Sequence, residues 1–225
     1  MDDSDFSAGE VDWQPASGAQ VGVTGEHGPA YVEHDVDRSK LEASGQHWQR
    51  YHYDRCSFVD ADLSNILTTQ CTFLRCDFTH ADLSQSMHQR SEFLDCVFRS
   101  AQLTGARFEE CRLAGSELDG AAMSGIMLRG GDLAAVSLED ADLSGVDLTE
   151  VVLYGANLAG ADLQDAKLVG ADLRDVRLER TSFARADLTG AQIDGFDAHQ
   201  ADLTGTIVDR EQAVELARAF GVVIS

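Results

Sequence analysis

The feature that most constrains this chain is a five-residue frame that runs through about two-thirds of its 225 residues without an insertion. From Tyr53 to Leu203, stepping by five, 28 of 31 positions carry Leu, Phe, Tyr, Met or Ile; the exceptions are Thr68, His88 and Ala198. Two residues earlier in each unit, 27 of 31 positions carry Ala, Cys, Ser, Val, Thr or Gly. Two residues after the large one, 12 of 31 carry Gly. A helix repeats every 3.6 residues and a strand every two, so neither element alone has this period. A repeat architecture does.

Large and small residues two apart both point inward if the segment between them is extended. A chain that shows the same face inward every five residues must turn after each unit, and Gly at the corner tolerates the angles such a turn needs. Four sides close a square coil of about 20 residues, and coils stack at about 4.8 Å. Proline, which removes a stacking donor, is absent after Pro29. The frame therefore predicts an all-β solenoid over 48–205, of nearly eight coils and roughly 37 Å.

The units ADLSN (61–65), CDFTH (76–80), ADLSQ (81–85), ADLSG (141–145), ANLAG (156–160) and ADLTG (186–190) resemble the A(D/N)LXX unit of the pentapeptide-repeat family. That resemblance implies a right-handed quadrilateral β-helix.

The ends leave the frame. Residues 1–47 mix acidic residues with Gly, Ser and Ala, and read as a largely disordered acidic tail, with Trp48, Tyr51 and Tyr53 covering the open first coil. In 206–225, Asp209 is a helix N-cap with Gln212 as its capping-box partner, Val214, Ala217 and Phe220 keep helical spacing, and Gly221 is a stop. Val222-Val223-Ile224 is strand-like. A solenoid end needs a cap, and this one is more apolar than a lid requires, which points to a dimer contact through Val214, Ala217, Phe220, Val222 and Ile224.

This ending, and the opening RYHYDRCSFVDADLS, resemble the fluoroquinolone-resistance group of the family, its mycobacterial member included. The resemblance implies a rod-shaped homodimer, joined end to end by its terminal helices, that mimics duplex DNA and occupies the DNA-binding saddle of DNA gyrase. The unbroken frame leaves no room for the projecting loops of the plasmid-borne members. The long acidic tail is likewise not part of their pattern.

Charge gives an independent test. Lys+Arg 17 against Asp+Glu 39 gives −22, which argues against direct nucleic-acid binding and for basic partners. Residues 51–205 hold 26 acidic and 12 basic residues. Their net charge is one per roughly 2.6 Å of solenoid, against one per about 1.7 Å of duplex DNA. Units 20 apart share a face. The Phe58 face carries Asp60, Asp77, Glu117, Asp119, Glu139, Asp140, Glu179 and Asp197 against three Arg. The adjacent Leu63 face carries Asp62, Asp82, Asp142, Asp162, Asp165 and Asp202 against Arg185. The Tyr53 and Thr68 faces are nearer neutral. Against mimicry stands a plainer account: Asp before the large residue belongs to the repeat itself and can satisfy corner backbone groups.

Cys56, Cys71, Cys76, Cys96 and Cys111 all occupy the small inward position, so they read as reduced core residues; their spacing fits no zinc motif. Thr68 and His88, 20 apart, should share a buried hydroxyl–imidazole hydrogen bond. Leu67, Met87 and Met127 form an outward column, either scattered surface residues or a contact patch. Neither a phosphate-binding loop nor a nucleophile elbow is present, and a filled solenoid offers no pocket to separate carboxylate pKa values. No catalysis, cofactor, metal or small-molecule substrate is expected. The acidic start MDDSDFSAGE resembles no signal peptide and no apolar run approaches a membrane span, so the expected compartment is the cytoplasm.

Three functional readings follow. The first is a homodimeric DNA mimic that binds DNA gyrase, inhibiting it or protecting it from quinolones. The second is a scaffold or partner-binding module with no topoisomerase role. The third is an immunity protein against a self-made topoisomerase poison.

Overall fold

A computed structural model describes residues 31–223. The chain winds as a four-sided parallel β-solenoid in which every residue lies beside the residue twenty further on. The register begins at Tyr31↔Tyr51, Asp37↔Ser57, Glu42↔Asp62 and His47↔Leu67, and still holds at Asp187↔Ile207. Neighbouring coils are joined by backbone bonds in both directions, as where Phe58 N–H donates to Asp77 O (2.7 Å) and Asp77 N–H to Cys56 O (3.0 Å). About nine coils stack this way, roughly 43 Å at strand spacing.

Continuous strands concentrate in the first five coils, on two faces. On the Tyr53 face, β1 (Tyr31–His34), β3 (Tyr51–Asp54), β5 (Thr72–Leu74) and β7 (Glu92–Leu94) form one sheet. On the Thr68 face, β2 (His47–Gln49), β4 (Leu67–Thr69), β6 (Met87–Gln89), β8 (Arg107–Glu109) and β9 (Met127–Arg129) form another. Two short strands, β10 (Thr181–Ser182) and β11 (Ala201–Asp202), pair near the C-terminal end.

Corners fall at every fifth residue from Asp35 to Gly205 with positive φ, Gln200 in the 3-10 turn Ala198–Gln200 excepted. Most corner residues are not glycine: Asp60 (φ 55°), Arg75 (φ 54°) and Arg185 (φ 60°) adopt the same left-handed conformation. That costs such residues about 1–2 kcal/mol each, and the inter-coil ladder offsets it, since Asp60 N–H still donates to Thr79 O (3.1 Å). At some glycine corners a side chain from the adjacent coil lies across the position and would have to move for any larger residue. A Cβ on Gly160 would stand 2.0 Å from Asp140 Oδ1.

Most corners are closed by a type II turn bond, as from Ala61 N–H to Phe58 O (3.1 Å). Several strand corners lack it, and there the next coil supplies a side-chain donor. Cys71 Sγ donates to Trp48 O (3.3 Å), Cys76 to Tyr53 O (3.6 Å), Cys96 to Phe73 O (3.4 Å) and Cys111 to His88 O (3.3 Å). Ser116 Oγ does the same for Phe93 O (2.8 Å). All five cysteines are buried and free, and burial pushes the thiols of Cys71 and Cys111 up to about 11.

The core is built of columns. Phe58, Phe78 and Phe98 stack at 5.0 and 4.8 Å, and Tyr53, Phe73 and Phe93 at 5.3 and 4.7 Å. Leucine columns replace them further along. Thr68 and His88 hydrogen-bond as expected, Thr68 Oγ1 to His88 Nδ1 at 2.8 Å, and Ser86 Oγ meets Nε2 at 2.9 Å.

The solenoid starts earlier than residue 48, which corrects the expected 1–47 tail. Residues 31–50 form a full first coil, and Trp48, Tyr51 and Tyr53 lie inside the stack rather than covering it. The frame is hidden there because Glu33 and Arg38 occupy the large inward positions. Arg38 donates to Glu33 (Nε to Oε2, 3.0 Å), and Tyr31 OH donates to the same buried carboxylate. A charge pair replaces two apolar residues, and Tyr31, Val36 and Leu41 fill the small positions with larger groups. Residues 1–30, the remainder of the expected tail, lie outside the described residues.

At the other end α1 (Arg210–Ala219) begins at Asp209 with the expected capping box to Gln212. It ends in a Schellman arrangement, Val222 N–H to Ala217 O and Gly221 N–H to Arg218 O, both 2.9 Å. Gln212 Nε2 donates to Leu188 O (2.6 Å) and Ala191 O (2.8 Å), and Leu216 packs on the core beside it. Val222 and Val223 join no strand, and Ile224 lies outside the described residues.

His88 makes the core pH-sensitive. Burial lowers its imidazole from 6.5 to about 3, so it is neutral when folded and protonates on unfolding. Its contribution is present in full above the unfolded pKa and is lost as pH falls toward the folded one. Unfolding free energies from urea titration at pH 7 and pH 5 should differ by about 2 kcal/mol more in the wild type than in His88→Leu.

Candidate functional site: two acidic faces

The repeated Asp stands immediately before each large residue, with its side chain outward. Its Oδ1 accepts the backbone N–H two residues on, and often a hydroxyl there as well. Asp62 takes Ser64 N–H (3.0 Å) and Oγ (2.7 Å); Asp77 takes Thr79 N–H (2.9 Å) and Oγ1 (2.6 Å). Asp142 takes Ser144 (3.1 and 2.7 Å) and Asp202 takes Thr204 (2.9 and 2.6 Å). Asp82 and Asp162 accept the N–H of Ser84 (2.8 Å) and Gln164 (2.9 Å). Asp-Leu-Ser and Asp-Leu-Thr therefore encode a local turn as well as a charge.

At two of these turns the bonds favour the ionised form. The Ser144 hydroxyl and amide hold the Asp142 carboxyl below the usual carboxylate range, and Thr204 does the same for Asp202. Backbone register then fixes the carboxylates in columns. Glu42, Asp62 and Asp82 stand in adjacent coils of the Leu63 face, as do Asp142 and Asp162. Glu42, and Asp37 on the Phe58 face, extend the acidic side into the first coil and were hidden from the frame.

On the Phe58 face, Asp119 Oδ1 accepts Ser137 Oγ (2.6 Å) and Glu139 N–H (3.2 Å), and Glu139 accepts Asn157 Nδ2 (3.3 Å). Asp60 lies at an exposed corner. Four acids of these faces are met by arginines: Glu117 by Arg99 (2.5 Å), Asp140 by Arg180 (3.8 Å), Asp165 by Arg185 (2.8 Å) and, within one unit, Glu179 by Arg177 (3.8 Å). The pairs to Glu117, Asp140 and Asp165 each cross coils, at separations of 18, 40 and 20 residues. Asp60, Asp62, Asp77, Asp82, Asp119, Glu139, Asp142, Asp162 and Asp202 make no ion pair with a described residue. Among the described residues, no group of three or more His, Cys, Asp or Glu could hold a metal ion.

At the C-terminal end, Val214 and Ala217 are half-buried, while Phe220 and Val222 are each 52% exposed and Ile207 is 54% exposed. His199 stands over Phe220 edge-on at 4.6 Å, and its Nε2 meets Ala219 O at 3.1 Å.

A square solenoid of five-residue sides, with an outward acidic lattice and a helical cap, is one class of protein. Family models match as a pentapeptide repeat region over 46–123 and as pentapeptide repeats over 132–168 and 166–205. The chain belongs to the pentapeptide-repeat family. Its fold is similar to solved structures of QnrB1, a plasmid-mediated fluoroquinolone resistance protein. A trypsin-treated, singly substituted form is 22% identical, with TM-score 0.77, over 86% of this chain and 97% of that one. The full-length form is 21% identical, with TM-score 0.73, over 85% of this chain and 100% of that one. No curated protein matches the sequence.

The two roles of the Asp separate by substitution. Asp142→Asn keeps the acceptor and removes the charge, so thermal unfolding should stay within about 0.5 kcal/mol of wild type. Asp142→Ala removes the acceptor as well and should cost about 1 kcal/mol.

Proposed function

We propose that the chain is a non-enzymatic DNA mimic that binds the DNA-binding surface of DNA gyrase, inhibiting the enzyme or shielding it from fluoroquinolones. The observation that carries this reading is the lattice of outward carboxylates on two adjacent faces, locked in register along the rod by the backbone ladder. A basic groove shaped for duplex phosphates complements such a surface, with attraction that weakens in salt. The fold likeness to a fluoroquinolone resistance protein points the same way. The rod acts by occupancy, in the cytoplasm, where gyrase works.

The scaffold reading draws support from the same Asp turns, because a carboxylate that stabilises its own corner needs no partner to explain it. Gyrase supercoiling separates the two. The wild type should inhibit, and added relaxed DNA should relieve it. The variant carrying Asp62→Asn, Asp82→Asn, Asp142→Asn and Asp162→Asn keeps its turns and should lose inhibition at least about tenfold. Equal inhibition by both proteins would remove mimicry by that face.

The exposed apolar edge of α1 and the residues after it give the rod an end-to-end dimer contact in this proposal, through Val214, Ala217, Phe220, Val222 and Ile224. Light scattering should find a wild-type dimer and a Phe220→Asp/Val222→Asp monomer. A mutant that stays dimeric would place the contact elsewhere.

A further inference from the structure

The Thr68 face, opposite the acidic Phe58 face and next to the Leu63 face, is unlike the rest of this −22 chain. Over its first five coils it is the five-stranded sheet β2-β4-β6-β8-β9. Within its units 46–50, 66–70, 86–90, 106–110 and 126–130 it carries Arg50, Arg90, Arg107 and Arg129 against Glu109 and Glu110. Of these, Arg90, Arg107 and Arg129 are exposed and make no ion pair with any described residue. Between them runs the outward column Leu67, Met87, Arg107, Met127, paired strand to strand, with Met127 51% exposed. A locally basic, methionine-bearing sheet on a strongly acidic molecule fits an acidic peptide with aromatic anchors.

The sequence contains one. Residues 1–30 carry Asp2, Asp3, Asp5, Glu10, Asp12 and Glu26, no Lys or Arg, and the aromatics Phe6 and Trp13. Where this segment joins the solenoid matters. Tyr31 lies beside Tyr51, and Tyr51 directly follows Arg50, the last residue of the Thr68 face in the first coil. The segment therefore enters at the corner where the basic sheet ends. Four coil steps from His47 to Met127 cover roughly 19 Å, and thirty residues reach roughly 100 Å when extended. Length does not limit the contact.

We propose that residues 1–30 dock in cis on the Thr68 face, with their carboxylates against Arg90, Arg107 and Arg129 and their aromatics on Met87 and Met127. Docked so, the arm covers the basic side of the rod and leaves both acidic faces open. The proposal stands independently of the gyrase reading, since it needs no partner.

The test is a photo-crosslink in the full chain, with Met127→p-benzoylphenylalanine on the basic face and Gln102→p-benzoylphenylalanine on the acidic side as control. Circular dichroism establishes that each variant is folded. Peptide mapping should join position 127 to residues within 1–30 of the same chain, with a yield unchanged by dilution. Adding Arg90→Glu, Arg107→Glu and Arg129→Glu should cut that yield about tenfold. Position 102 should give little of this product. Equal yields from positions 102 and 127, no product from 127, or insensitivity to the charge reversals would overturn docking. A product between two chains that falls on dilution would overturn it in favour of a second copy as the source of the arm.

Discussion

Everything in this molecule depends on the backbone ladder between coils. Amides on each side of the square donate to carbonyls about one coil before or after, as Phe58 N–H to Asp77 O and Asp77 N–H to Cys56 O, so no coil satisfies its own polar backbone alone. Because the register does not slip from Tyr31 to Ile207, any residue type that recurs at twenty becomes a column. Inside the rod this makes the phenylalanine stacks. Outside, it makes rows of carboxylates whose spacing is set by the backbone and not by the side chains.

Like charges in adjacent coils repel by about 1 kcal/mol at 4 Å in water. The columns persist because each Asp is also a turn acceptor, so its removal exposes a backbone donor. Structure and surface charge are thus tied to one atom pair: Oδ1 faces the turn and Oδ2 is left toward solvent. Charge is distributed unevenly as a result. Two adjacent faces are acidic, and the Thr68-face sheet of the first five coils, opposite the Phe58 face, is locally basic. The rod has two chemically different sides that two partners could occupy together.

Much of this was legible in the sequence, because large and small inward positions obey simple packing. The four-sided solenoid, the acidic faces, the Thr68–His88 bond and the Asp209–Gln212 capping box can all be read from spacing. The first coil could not be. Glu33 and Arg38 sit where the frame demands apolar residues, and only their mutual pairing makes them acceptable inside. Corners carry Asp, Arg and Gln as readily as Gly, since the ladder outweighs the left-handed strain. The cysteines were legible as core residues, but their work as donors to orphan corner carbonyls depends on the turn type, which the pattern does not specify. Nor does a charge count reveal that arginines of other coils meet Glu117, Asp140 and Asp165.

In the function proposed, a fixed carboxylate lattice stands in for duplex phosphate. Its most direct test is equilibrium binding of the fluorescently labelled protein to gyrase, followed by anisotropy while linear duplex DNA and salt are varied in turn. Duplex should displace the protein competitively, with the apparent Kd rising in proportion to free DNA, and binding should weaken steadily as salt increases. Binding that is unaffected by saturating duplex, or that is indifferent to salt, would contradict it.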